Sequence, residues 1–404
     1  MLNKDNQREL AYVVKIDDIT PIEGYDRVEL AHVGGWTIVV GKNEFHKNDL
    51  AIYFEIDSKL PEVKPFTDME FLAKKKFRVK TQKMCKSYSQ GLLMSAANFD
   101  WTLAPDNSAI IDDNYECHFL NDESRFLTNK LGVTYYIVED NNRKKKSVNK
   151  YQKMIDRHKE LFSKQPYKYL ITKDWGKKLL FIFYGNKRDG IGWPEWVKKT
   201  DEERVENMPW ILSDKSPWIA TEKIDGTSTT FTMKRNKRNK YDFYVCSRNV
   251  VFDKPDKQCF YHSNVYIEMA EKYNIEAHMK DMLDTHPEWE WVTIQGETYG
   301  IGIQVNDYDA TEKCFMAFNL ITSDKGRWNT LDMERFLFTG YSIPCVPILS
   351  KNYILPDTIE ELREYVHNET SVINGKIREG IVFRDQDGIK SFKCVDPEYT
   401  IKFH

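Results

Sequence analysis

The chain has 404 residues, 41% of them hydrophobic and 30% charged, and a formal net charge of −3. That length favours two or more domains with real cores, and the near-neutral balance excludes a polycation held to its partners by bulk charge. The seven cysteines (Cys85, Cys117, Cys246, Cys259, Cys314, Cys345 and Cys394) form no Cys-x-x-Cys pair, which argues against a disulfide framework or a zinc site.

No long apolar run occurs, and the start (Met1 to Arg8) has no apolar signal region. The expectation is a soluble, cytoplasmic protein that does not enter a membrane.

The first hundred residues read as β-rich. Runs of β-branched and aromatic residues cover Ala11–Ile16, Val28–Val33, Trp36–Val40 and Leu50–Phe54, punctuated by Pro21, Gly24, Gly34-Gly35 and Asn43. Gly34-Gly35 between two such runs signals a hairpin. Phe77–Thr81 and Gln90–Met94 are expected to add two strands, and strands this short and numerous suit a small barrel of the OB type. Lys74-Lys75-Lys76, Arg78, Lys80, Lys83 and Lys86 make the segment basic. With Arg78 and Lys80 on one strand face, it predicts a track for a phosphate backbone.

Residues 139–190 are more polar. Arg143-Lys144-Lys145-Lys146 opens a charge run, and Met154, Ile155, His158, Leu161 and Phe162 recur at helical spacing. A helix in a linker or insertion is expected there. Leu179–Phe183 reads as an apolar strand, followed by turns at Gly190 and Gly192-Trp193-Pro194. Thr200-Asp201-Glu202-Glu203-Arg204 has the form of a helix start, a cap followed by early acids.

From about residue 215 the pattern is mixed. Trp218–Thr221, Glu222, Lys223, Ile224, Asp225 and Gly226, then a Thr/Ser run to Phe231, read as strand, tight turn, strand. Side chains two apart on an extended segment point the same way, so Lys223 and Asp225 can share a pocket. Lys234–Lys240 reads as the tip of a hairpin whose second strand is Phe243–Val245. Helical spacing is predicted at 265–283, 330–339 and 358–368, alternating with strands at Trp291–Gln295, Cys314–Ile321, Gly380–Arg384 and Ile389–Val395.

Several patches carry groups suited to phosphoryl chemistry. Ser247-Arg248-Asn249 offers a guanidinium fork. Gln295-Gly296-Glu297 and Arg378-Glu379-Gly380 place acids at strand ends beside glycine. Phe315–Asn319 is an aromatic strand, and Lys390-Ser391-Phe392-Lys393 sets cations on the last one.

Together and in this order these patches resemble the covalent nucleotidyltransferase superfamily of polynucleotide ligases and RNA capping enzymes. Lys223 to Gly226 matches its motif I, Ser247-Arg248-Asn249 Ia, Gln295-Gly296-Glu297 III, Phe315–Asn319 IIIa, Glu379–Val382 IV and Ser391-Phe392-Lys393 V. Eleven residues follow Lys393, too few for the C-terminal domains of DNA ligases, capping enzymes or the ligase 2 type of RNA ligase. A β-barrel ahead of the motifs is similar to the RNA ligase 5 family. Val13 to Asp57 and Lys199 to Val205 resemble that family as well.

The resemblance implies an α+β fold. An N-terminal OB-fold β-barrel (1–138) is followed by a linker or insertion (139–190) and by a mixed α/β nucleotidyltransferase (ATP-grasp-like ligase) domain with antiparallel sheets (191–404). It implies an ATP-dependent RNA ligase, expected to be monomeric, that joins 3′-OH and 5′-phosphate RNA ends through lysyl-AMP, at nicks in duplexes.

By the same resemblance, Lys223 is the nucleophile and Lys393 contacts the α-phosphate, with Lys390 a possible second cation because Ser391 stands where relatives carry lysine. Arg248 contacts ribose, phosphate or the RNA end. Glu222 and Ile224 border adenine, which Glu222 would meet through its main chain, and Phe318 stacks on it. Asp225, Glu297 and Glu379 hold Mg²⁺ or Mn²⁺, directly or through waters, with Glu297 alternatively on the ribose. Neighbouring cations are expected to lower the Lys223 pKa. Two other readings remain: a DNA ligase lacking its C-terminal domain, and a non-catalytic OB-fold nucleic-acid-binding protein.

Overall fold

The structure is a computed structural model that describes residues 1–4, 7–95, 98, 125–136, 155, 159–184, 193–198, 201–236, 240–252, 261 and 263–403. The charge run at Arg143–Lys146, the expected helical positions Met154 and His158, the turns at Gly190 and Gly192, and the hairpin tip at 237–239 lie outside the described residues.

The N-terminal region is built from short antiparallel strands: β1 (Ala11–Lys15), β2 (Asp18–Ile22), β3 (Tyr25–Val33), β4 (Trp36–Gly41), β5 (Leu50–Phe54), β6 (Ser58–Lys59), β7 (Thr81–Met84), β8 (Ser87–Gln90), β9 (Leu92–Ser95) and β10 (Thr134–Tyr135). They form β1-β5-β9 and β2-β3-β4 sheets, with β7-β8 and β10-β6 pairs. Val33 and Trp36 pair across Gly34-Gly35, as the hairpin signal predicts. The strand pleat sends alternate residues to two cores. Val13, Ile52 and Phe54 enter one, while Tyr12, Ala51, Tyr53, Trp36 and Ile38 enter the other.

The expected strand at Phe77–Thr81 is corrected. Lys76 and Phe77 have φ of 53° and 56°, left-handed backbone that breaks an extended run; Arg78 makes an isolated bridge to Lys59, and only Thr81, the first residue of β7, belongs to a strand. Arg78 is not a free cation either. It bonds Asp57 at 3.0 Å and lies over the Tyr136 ring at 4.2 Å. The expected Gln90–Met94 strand is divided between β8 and β9 at Gly91 (φ 115°).

Between the domains, Leu179–Phe183 is not a strand but part of a helix, Asp174–Tyr184. A five-residue apolar run has no period of its own, so the flanks decide. Asp174 stands in the first turn, and Leu180 packs on Phe162 from the helix Lys159–Phe162.

The C-terminal region has two antiparallel sheets. One follows the order β18 (Ile348–Tyr353), β11 (Trp218–Lys223), β19 (Gly380–Asp385), β20 (Ser391–Val395). The other follows the order β14 (Val251–Phe252), β13 (Tyr241–Ser247), β12 (Thr227–Arg235), β15 (Trp291–Gly300), β16 (Lys313–Thr322), β17 (Gly326–Arg327).

The expected helix at 265–283 is two, Val265–Lys272 and Ile275–Thr285, divided at Asn274 with φ 48°. Their Met269, Met279, Met282 and Leu283 bury against Phe231, Ile294 and Phe315 of the larger sheet. The helix Ile359–Asn368 starts on a Thr358/Glu361 capping box. It sets Ile359, Leu362 and Val366 under the smaller sheet beside Trp218, Ile381 and Phe392. No described helix is long and apolar enough to cross a membrane.

The two regions meet through buried polar groups. Asn207 accepts from Tyr12 Oη at 3.2 Å and Trp36 Nε1 at 2.7 Å, and donates to Glu55 and Glu203. Arg363 reaches Gly35 O, Gln90 Oε1 and Glu206 Oε1.

Candidate active site

Strand β11 ends at Lys223, whose Cα partner on β19 is Gly380. The turn that follows passes between the sheets. A Cβ on Gly226 would stand 2.3 Å from Thr298 O, and one on Gly380 2.3 Å from Cys394 O. Both glycines are therefore required by close backbone approach, and their neighbours Asp225 and Glu379 are held at the mouth of the inter-sheet space.

Lys223 Nζ lies 2.6 Å from Glu379 Oε2. Burial alone would push this ammonium down, but Glu379, Glu297 and Asp225 outweigh it and raise the pKa. The expectation that neighbouring cations depress it is thus corrected for the ligand-free chain, because the groups around Lys223 are carboxylates. Glu297 is pushed up to about 8, chiefly by burial, with Glu379 and Asp225 adding and Lys223 opposing. Asp225 is fixed from two later elements. Tyr399 Oη donates to its Oδ2 at 3.1 Å, and its amide donates to Tyr308 Oη at 2.9 Å.

The adenine-side candidates are together. Ile224, Tyr299, Tyr308 and Val346 form a small apolar cluster with Phe318 and Met316 packed on it. Glu222 is buried beside it, with Oε2 accepting from Val372 N at 3.0 Å and Oε1 lacking a partner. Its amide donates to Pro347 O at 2.9 Å, so it is not available to a base. Asn319 donates to Gln295 Oε1 at 3.1 Å and orients that strand end.

Lys393 is half-buried and joined to Asp201 at 2.8 Å; Arg248 reaches the same carboxylate at 2.6 Å. Burial, with Arg204 and Lys223 nearby, lowers the Lys393 pKa despite Asp201. Burial opposes ionisation of Asp201, yet Lys393 and Arg248 hold its carboxyl well below the usual range. Lys390 is not in the site. It pairs with Asp214 at 3.0 Å and is 57% exposed. Ser391 faces inward and bonds Glu202, which also takes Arg384 at 2.9 Å and Arg327 at 3.4 Å.

The helix expected to start at Thr200 is absent from the described Asp201–Arg204. This stretch runs extended beside β20, with Lys393 N donating to Glu203 O at 2.7 Å. Its acids therefore face other side chains rather than helix amides: Asp201 meets Lys393 of motif V, Glu202 meets Arg384 and Arg327, and Glu203 accepts from Asn207. Asp201, Glu202, Tyr308 and Tyr399 are the residues that sequence reasoning missed as site members. Asp201 and Glu202 lay in a block already noted for its family likeness, whereas no local pattern marks the two tyrosines.

The residues present fit an adenine nucleotide at one end, where the buried unpartnered Glu222 Oε1 beside an apolar cluster suits an amino donor. They offer hard oxygen donors to a divalent cation at the other. Among the described residues, no three His, Cys, Asp or Glu side chains converge closely enough to hold an ion by themselves.

Residues 216–403 match the RNA ligase family, and residues 10–96 match an OB-fold domain. The fold is similar to that of the Naegleria gruberi RNA ligase with PPi: TM-score 0.70, 24% identity, covering 98% of this chain and 99% of that one. A variant of that ligase with ATP and Mn aligns with TM-score 0.68 and 24% identity, over 98% and 99% of the two chains. Another, with AMP and Mn, gives the same TM-score of 0.68. No curated protein matches the sequence.

Proposed function

We propose that this chain, which carries a domain of the RNA ligase family behind an OB-fold domain, is an ATP-dependent RNA ligase that joins 3′-OH and 5′-phosphate ends. The observation that carries the reading is the half-buried Lys223 ammonium, paired with Glu379 at 2.6 Å and acted on by Glu297 and Asp225, with Lys393 near enough to feel its charge. The ATP- and AMP-bound Naegleria structures support the choice of nucleotide.

Lys223 Nζ attacks the α-phosphorus of ATP. The ammonium first loses one proton to solvent; the N–P bond then forms as the bond from phosphorus to the bridging oxygen breaks, pyrophosphate leaves, and the nitrogen loses a second proton to solvent, keeping one N–H in the phosphoramidate. The lysyl-AMP then passes its AMP to the 5′-phosphate of an RNA end. The 3′-OH of the other end attacks that adenylate, forming the phosphodiester and releasing AMP.

Each step needs positive charge at the α-phosphate, which Lys393 and Arg248 supply. Glu222 Oε1 accepts from the adenine amino group, with Ile224 and Phe318 forming the apolar wall. Asp225, Glu297 and Glu379 would hold Mg²⁺ or Mn²⁺, directly or through waters, since no three of the described acids could hold an ion by themselves. Bound there, a divalent ion would neutralise phosphate charge and favour the neutral Lys223 amine.

We divide the chain into an OB-fold domain (1–138), a linker or insertion (139–190) and an adenylyltransferase domain (191–404). The Tyr135–Ser58 pairing on one side and the Trp196–Thr232 hydrogen bond on the other support these limits.

The proposed substrate is a nick in a duplex, since a barrel docked on the transferase offers two walls to one helix. The test offers matched nicks whose 3′-OH side ends in one or two ribonucleotides or in DNA. RNA-ended nicks should be sealed faster, because a 2′-OH distinguishes the two at a fixed site. Equal sealing of all-DNA nicks would replace this reading with that of a DNA ligase.

A further inference from the structure

Asp201 lies outside all six motifs, on the segment that leads from the barrel into the ligase sheets. Its carboxylate is divided between two cations from different sheets: Oδ1 stands 2.8 Å from Lys393 Nζ on β20, and Oδ2 stands 2.6 Å from Arg248 Nη2, just past β13. The backbone sets that position. Arg204 bridges Lys393 in parallel, and Lys393 N donates to Glu203 O at 2.7 Å. The next side chain, Glu202, is anchored on Arg384 and Arg327. A carboxylate with one oxygen on each of two cations reproduces what a phosphate offers the same pair.

We propose that Asp201 is an internal stand-in for the nucleotide phosphate. It holds Lys393 and Arg248 together while the site is free of nucleotide, and the incoming phosphate displaces it from both. The proposal rests on the adenine-nucleotide reading above.

Two arguments support displacement over sharing. A phosphate on both cations would bring its oxygens against the Asp201 carboxylate, and like charges in contact disfavour each other strongly. Without any anion, Lys393 would be a half-buried ammonium beside Arg204 and Lys223 with no counter-charge against it, which is costly. Asp201 therefore preserves the geometry of the pair and weakens phosphate binding by competing for it.

The test compares the binding of AMP and of adenosine to the full chain, by calorimetry in the presence of a chelator. AMP cannot adenylylate Lys223, so only binding is read, and the ratio of the two dissociation constants isolates the phosphate. In Asp201→Asn the preference for AMP should rise about tenfold, the size of one charged contact, with adenosine unchanged. Asp201→Glu, which keeps the charge, should stay near the wild-type ratio. Asp214→Asn, which touches Lys390 instead, should leave the ratio alone. An unchanged or smaller AMP preference in Asp201→Asn overturns the proposal and makes the residue a structural counter-ion. If wild type binds neither adenosine nor AMP, the nucleotide reading itself fails, and this proposal with it.

Discussion

Lys223 Nζ and Glu379 Oε2 stand 2.6 Å apart, joining the end of β11 to the residue that precedes β19. The pair explains why Lys223, the proposed nucleophile, is held as an ammonium in the ligand-free chain, and why a lysine two residues from an aspartate is not by itself reactive. Replacing Glu379 by Gln should free Lys223 from its partner and yet cut self-adenylylation by about 10²-fold or more, because a charge stabiliser of the transfer is lost. Lys393→Ala should fall by a similar factor. Rates of AMP attachment under single-turnover conditions are the measurement. Near-normal rates in either variant would remove that residue from the site.

Glu55 links the barrel to the ligase domain and gives a pH-dependent stability. Burial opposes its ionisation, but the Met1 ammonium and Arg8 more than compensate and hold its pKa below the ordinary value of 4.5. A depressed folded pKa stabilises above the unfolded pKa and is lost as pH falls. Wild type should therefore lose melting temperature as pH drops below about 4.5, in excess of Glu55→Gln, and the two melting curves should converge in acid. At neutral pH the variant, which leaves Arg8 without its nearest counter-charge, should be destabilised by about 3–5 kcal/mol. Parallel pH profiles would contradict this role.

The basic surface of the barrel is narrower than the sequence suggests. Arg78 is held by Asp57, Lys83 by Glu398 at 2.7 Å, and Lys75 by Gln82, whereas Lys74, Lys76 and Lys86 are exposed. Changing those three to Ala should flatten the dependence of RNA affinity on salt, each lost phosphate contact lowering the slope by about 0.7–0.9. Arg78→Ala should instead lower stability. A slope unchanged in the triple variant would leave RNA binding to other surfaces.

What was legible in the sequence is what local chemistry decides. Gly34-Gly35, the capping box at Thr358 and the strands that carry Lys223, Glu297 and Lys393 followed from turn residues, caps and period. The misread pieces depended on distant partners. Leu179–Phe183 lies in a helix whose Leu180 packs on the distant Phe162. Asp201 and Glu202 looked like the acids of a helix start, and their true partners, Lys393 and Arg384, lie 192 and 182 residues away. Tyr399, which bonds Asp225 across 174 positions, had no signal at all. Lys390, the candidate second cation beside Ser391, precedes β20 in the turn after β19, where its amide donates to Asp385 and its ammonium reaches Asp214 instead.

Lys223 is the proposed acceptor of AMP, on which every later step of the ligation depends. The most direct measurement is to incubate the full chain with manganese and ATP labelled at the α-phosphate, denature it, and map the label. The prediction is one labelled lysine, Lys223, with labelling abolished in Lys223→Ala and in the presence of a chelator. Wild-type label in Lys223→Ala, or no label on the wild-type chain, would contradict it.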